Sequence, residues 1–181
     1  MAVAAAAALT FMAGGCASLN TSGLTKAQQK ELREKEDSIR SEIAFKAVEE
    51  NHFIAMADQI TLRNGRTFNV NNSVNYVSLN GTNGVIQIAS NFPGPGLNGL
   101  GGVTLNGMAT DIKKSYDKKG NLSLSMRVAG SGLSSDVTLQ MAKGSDRAFV
   151  QIKGTFRFYQ LSMYCTVEPY DGTGVIQGRS L

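Results

Sequence analysis

Residues 122–152 read LSLSMRVAGSGLSSDVTLQMAKGSDRAFVQI, and the fold is decided there. Leu122, Leu124, Met126 and Val128 alternate with Ser123, Ser125 and Arg127. Val137, Leu139 and Met141 then alternate with Thr138 and Gln140. Successive side chains of a strand point to opposite faces, so this alternation marks one buried face and one wet face. Gly, Ser, Asp and Lys separate the runs, which is tight-turn chemistry. The stretch reads as an antiparallel meander whose inward set is Leu122, Leu124, Met126, Val128, Val137, Leu139 and Met141.

The same style continues on both sides. Phe53 to Leu62 reads as a strand with Ile54, Met56, Ile60 and Leu62 on one parity and Asp58 interrupting that face. Asn64-Gly65 is a tight-turn signal, and Phe68 to Val70 is its short return. Asn75 to Leu79 and Val85 to Ala89 flank a turn at Asn80 to Gly84. Val103 to Leu105 and Met108 to Tyr116 read as two strands around an Asn106-Gly107 turn. Residues 155–167 close the domain, and a glycine-rich tail runs from Glu168 to Leu181. Short strands roughly every ten residues, without helical spacers, predict a mainly β fold, either an antiparallel meander barrel or a two-sheet sandwich.

A long charged α-helix precedes this domain. Thr25 and Gln28 have capping-box spacing, and no Gly or Pro interrupts Lys26 to Ala47. Glu31 with Lys35, Glu36 with Arg40 and Glu42 with Lys46 stand four apart in the favourable order. The apolar stripe is Leu32 alone at first, then Ile39, Ile43, Ala47 and Val48, so the second half is expected to dock on the β domain. The helix could plug the domain or cover an open sheet edge.

Residues 2–12 form an apolar run too short for a bilayer span of about 20 residues, but of signal-peptide length. Ala13, Gly14 and Gly15 follow, then Cys16. This arrangement resembles the lipobox of bacterial lipoproteins, in which the cysteine is acylated. Ala13 stands where Leu is usual and no Lys or Arg precedes Lys26, so a start codon further upstream is expected. The organisation read from the chain is a signal peptide at 1–15, a lipidated tether at 16–24, the charged helix at 25–50 and the β domain at 51–181. Acylation of Cys16 leaves Cys165 alone, as a small buried hydrophobe. Pairing of Cys16 with Cys165 is the competing reading.

Charge argues against a nucleic-acid partner. The formal balance is only +4, with 18 basic and 14 acidic residues. Lys113, Lys114, Lys118 and Lys119 form the one dense basic group and read as a solvated turn, with anionic lipid or glycan as the sharper alternative. Gly94 to Gly99 fits G-x-G-x-x-G, but a strand follows it where the dinucleotide fingerprint needs a helix. Pro93, Gly94, Pro95, Gly96 and Gly99 are instead read as a wide loop at a possible ligand site. One histidine and two cysteines supply no metal set, so no metal or cofactor is expected. No G-x-S-x-G elbow accompanies His52, which reads as structural. Asp58, Asp111, Asp117, Asp136, Asp146, Glu168 and Asp171 remain as carboxylates, and Asp58 alone falls on an apolar parity.

The runs ADQITLRNGR, NYVSLNG, VIQIA, GGVTLNG, the KKGN turn and the terminal GRSL together resemble a family of small Gram-negative gut-bacterial lipoproteins known only as a domain of unknown function. The resemblance covers roughly residues 48 to 181. It implies an envelope location and a β-rich fold, and it implies no catalytic residues. The functional expectation is a lipid-anchored, non-enzymatic β module on the periplasmic side of the outer membrane. Its partners would be the membrane, through acyl chains such as palmitate on Cys16, and a small apolar ligand or an envelope protein. The rivals are a carboxylate-dependent hydrolase built on Asp58 and a structural envelope component. The interior is expected to be filled by side chains.

Overall fold

The computed structural model describes residues 25–89, 102–154, 160–178 and 180. The signal peptide, Cys16 with its tether, and the loop carrying Pro93, Gly94, Pro95, Gly96 and Gly99 lie outside the described residues. Helix α1 (Lys26–Glu49) leads into β1 (His52–Leu62), β2 (Thr67–Asn69), β3 (Tyr76–Asn80) and β4 (Asn83–Ile88). Then come β5 (Val103–Tyr116), β6 (Leu122–Ala129), β7 (Ser134–Met141), β8 (Arg147–Gly154) and β9 (Gln160–Pro169). The sheet runs β2-β1-β3-β4-β5-β6-β7-β8-β9, and β1 also pairs with β9. The ring therefore closes as an eight-stranded antiparallel barrel, with β2 sharing one side of β1 with β3. The barrel alternative holds and the sandwich does not.

Closure determines which residues fill the core. All seven residues of the inward set from 122 to 141 are buried in one apolar cluster. The opposite wall adds Phe53, Val77, Leu79, Ile86 and Val167. Leu124, Leu139, Val150 and Met163 are 0% exposed, so no water-sized void adjoins them. Eight-stranded barrels have an interior just wide enough for side chains to fill.

Four local readings are corrected. In β1 the register slips between Ala57 and Gln59, leaving Asp58 as the extra residue of a β-bulge. The bulge flips the parity: Ala55 and Ala57 face inward before it, Ile60 after it, while Ile54 packs in a second cluster on the outside. Asn106-Gly107 is no turn, because β5 runs unbroken through it. Gly107 is needed there because a Cβ would lie 2.0 Å from the Ala129 carbonyl oxygen. The helix docks through Ser41, Ala44, Ala47 and Val48, leaving Ile39 and Ile43 exposed on the far side. It covers no sheet edge, since the ring has closed; Ala44, Ala47 and Val48 join the interior cluster against β1 and β9.

Local signals set the helix ends. The Thr25 capping box forms, with the Gln28 amide 3.4 Å from Thr25 Oγ1 and the Thr25 amide 3.0 Å from Gln28 Oε1. Of the expected ion pairs, Glu31–Lys35 forms at 2.7 Å, while Arg40 turns to Asp37 and Lys46 to Glu50. Asn51 ends the helix at φ 57°, the left-handed position that stops helices. Lys114 donates to the Glu49 carbonyl at 2.5 Å, and the Tyr116 hydroxyl donates to Glu49 Oε1 at 2.7 Å. A cation at the negative end of the helix dipole is favourable.

A packed interior has a measurable consequence. Leu124→Ala and Leu139→Ala are each expected to cost about 2–5 kcal/mol in urea unfolding. A cost under about 1 kcal/mol at both positions would mean a loosely filled barrel.

Candidate functional site

The carboxylates read from the sequence are largely engaged. Asp58, lifted out of the ladder by its bulge, pairs with Arg147 and accepts from Thr166 Oγ1 at 3.4 Å. The Arg127 side chain grips Asp136 at 2.7 and 3.2 Å and holds that carboxyl below the usual carboxylate range. Asp117 accepts from the Asn121 and Lys119 amides within its own turn, which lowers it too. Asp171 is lowered by the side chain and amide of Thr173. A general acid working near neutral pH needs the opposite shift. Asp111 sits at φ 52° in a bulge of β5, where it and Ile112 together face Met126.

The histidine and the described cysteine are each held by their surroundings. His52 Nδ1 lies 3.1 Å from Asn80 Oδ1, and its ring meets Tyr170 edge-on. Cys165 is a buried free thiol facing the interior, and burial pushes it well above the usual thiol range. Beside the helix, a polar cleft of about 410 Å³ lies between Asp37, Arg40 and the β7–β8 turn. Both of its arginines already hold carboxylates, Arg40 with Asp37 and Arg147 with Asp58. Within the basic group, Lys114 caps the helix, whereas Lys118 and Lys119 belong to a turn that Lys143 meets from the neighbouring hairpin.

The outer wall divides into two halves. Over β3, β4 and the start of β5, the C-terminal tail lies as a strap. Its anchor is Gln87, 0% exposed. The Gln87 amide donates to the carbonyls of Val74 and Ile176, and its oxygen accepts from the Gly178 amide at 2.5 Å and Thr104 Oγ1 at 3.1 Å. Ile176 donates to the Ser73 carbonyl at 2.9 Å, and Tyr170 and Val175 close over Ile54, Tyr76 and Val85. A glutamine that can both donate and accept is what a wall position needs to hold an unpaired backbone segment. No local signal in the sequence distinguishes Gln87 from the rest of the strand from Val85 to Ala89.

The other half, from β6 round to the second half of β1, is uncovered among the described residues. Two cross-strand rows occupy it. One runs Ser123, Gln140, Phe149, Tyr164, Gln59; the next runs Ser125, Thr138, Gln151, Ser162, Thr61. Neither row holds a charge. Phe149 and Tyr164 form a ring pair with centroids 5.1 Å apart and planes at 52°.

A closed eight-stranded meander with a helix packed across one mouth and a strap on its wall defines a class of small β-barrel modules. Residues 34–163 match the model of the family described as domain of unknown function DUF4251, and the chain belongs to that family. The match reaches back into α1, further than the motifs read from the sequence. A crystal structure of a DUF4251 family protein from Bacteroides eggerthii DSM 20697 is similar, with a TM-score of 0.66 at 34% identity, covering 75% of this chain and 91% of that one. No curated protein matches the chain.

Two outcomes follow for the strap. Gln87→Ala leaves buried backbone groups unpaired, at about 1–3 kcal/mol for each group. It should therefore speed hydrogen exchange at Ile176 and Gly178 ahead of the barrel amides; unchanged protection there would refute the anchor. Burial beneath the strap pushes Tyr76 up to about 12. A raised folded value means the neutral phenol is the stable form, so stability is fully present below about pH 10 and falls from there through about pH 12. Tyr116 is also raised, by its hydrogen bond to Glu49, so alkaline spectrophotometric titration should be read on Tyr76 by comparison with Tyr76→Phe, and its late ionisation should move to a lower pH in Gln87→Ala.

Proposed function

We propose that the chain is a lipid-anchored envelope module, non-catalytic, whose barrel wall rather than its interior meets a partner. The carrying observation is the packed centre: Leu124, Leu139, Val150 and Met163 are 0% exposed, which leaves the wall as the place for recognition. The engaged carboxylates support a non-catalytic reading, since Asp117, Asp136 and Asp171 are all shifted away from general-acid behaviour. Small residues running into Cys16 support acylation, and the exposed first half of α1, at about 1.5 Å per residue, supplies a spacer between anchor and barrel. The periplasmic face of the outer membrane is the proposed location, because Ala17 to Asn20 carries neither an acidic cluster nor an Asp after the cysteine.

The test is fractionation with mass. Cys16→Ala should move the protein from the membrane pellet to the soluble fraction, and the intact mass of the native form should show acyl chains on residue 16. Sedimentation of the variant with membranes would sink the anchor. A stoichiometric apolar molecule held inside the barrel in native mass spectrometry would sink the packed-interior reading.

A further inference from the structure

We infer that the uncovered half of the barrel wall binds a neutral glycan, through the Phe149–Tyr164 pair and the amide and hydroxyl groups around it. The inference rests on the reading of the wall as the recognition surface and names the ligand class it takes.

The argument is one of matching chemistry. The chain is 18% charged, and a solvated barrel wall would ordinarily share in that charge. Charge stops at the borders of the two rows. On one side Arg127 and Asp136 neutralise each other, with Lys153 next in line. On the other side Arg147 and Asp58 do the same. Between them lie only Ser, Thr, Gln and the aromatic pair, a band about 7 Å from row to row and about 20 Å across five strands.

Serine and threonine hydroxyls and glutamine amides both donate and accept, as sugar hydroxyls do. The side chains of Gln59 and Thr61 are tied at the edge of the band, to Asn69 at 3.3 Å and Thr67 at 3.0 Å. Gln140 and Gln151, at the centre, hold no side-chain hydrogen bond among the described residues. Tyr164 is 53% exposed beside them. The negative face of an aromatic ring attracts the weakly positive C–H groups of a pyranose, while its edge and hydroxyl stay wet. An anionic polymer would ask for a cluster of cations within the band, and the one lysine that adjoins it, Lys113 opposite Ser125 on β5, stands alone at its edge. A protein partner would ask for an apolar centre, which one ring pair amid hydroxyls does not supply.

Affinity electrophoresis of the full-length chain tests this directly. Dextran, laminarin, galactomannan and arabinoxylan are the neutral probes, with polygalacturonate as the anionic control. At least one neutral polymer should retard the wild type. Tyr164→Ala and Gln151→Ala should each weaken that retardation at least tenfold, and Met108→Ala, exposed on β5 away from the band, should leave it unchanged. Gln151→Ala decides the matter if Tyr164→Ala does not fold by circular dichroism. Retardation by none of the four, by polygalacturonate alone, or undiminished in both band variants overturns the inference. An anchored chain that binds no neutral polymer refutes the glycan and leaves the anchor; a released chain that still binds refutes the anchor alone.

Discussion

The ladder between β1 and β9 is the constraint on which the rest of the molecule depends. It runs from Phe53 opposite Pro169 to Leu62 opposite Leu161 and joins the two ends of a meander that would otherwise be an open sheet. Closing the ring satisfies the backbone groups of both terminal strands and removes the edges that invite aggregation. It also confines the inward side chains to a volume they must fill. Small residues such as Ala55, Ala57, Ala109 and Ala148 sit in the same cluster as Leu122, Met126 and Met163, so bulk on one strand is met by space on another.

A ring with one mouth covered needs a means of holding the cover. Here β5 does it by length. At 14 residues it outruns β4, and its last turnward positions fall on the inward parity beside Leu124 and Leu122. Lys114 and Tyr116 occupy those positions and hold Glu49 at the end of α1. The Asn121 side chain then accepts from the Lys143 amide, tying the β5–β6 turn to the β7–β8 turn. Helix, strand end and two turns thus form one rim. The polar cleft beside it is lined by Asp37, Arg40 and Arg147, which are engaged in the Asp37–Arg40 and Asp58–Arg147 ion pairs.

The wall answers a different requirement. Its strapped half carries Ile54, Tyr76, Val85 and Gln87 outward, residues that need a cover and receive one from the tail. Its open half carries two rows of Ser, Thr and Gln with one aromatic pair, bordered by the Arg127–Asp136 and Arg147–Asp58 ion pairs, and needs no cover in water. The tail lies beyond the residues matched to the family, which end at 163, so the strap is a feature read from this chain and not carried over from the family description.

Alternation by itself determined the mainly β class and the inward set from Leu122 to Met141, because a period of two is a local property and reports directly which face is buried. The capping box at Thr25 was equally local. Tertiary structure alone decided barrel over sandwich, since closure is a pairing between strands more than a hundred residues apart, as Phe53 with Pro169. It decided that Asp58 is a bulge and not an inward carboxylate, because an extra residue is visible only against the partner strand. It decided that Ile39 and Ile43 stay wet, because small Ser41, Ala44 and Ala47 allow the helix closer to β1 and β9 than isoleucines would. Gly107 looked like a turn and is a close approach to Ala129; Gln87 looked like an ordinary strand residue and holds the tail. In each case the deciding neighbour is remote in sequence, and a local pattern carries no record of it.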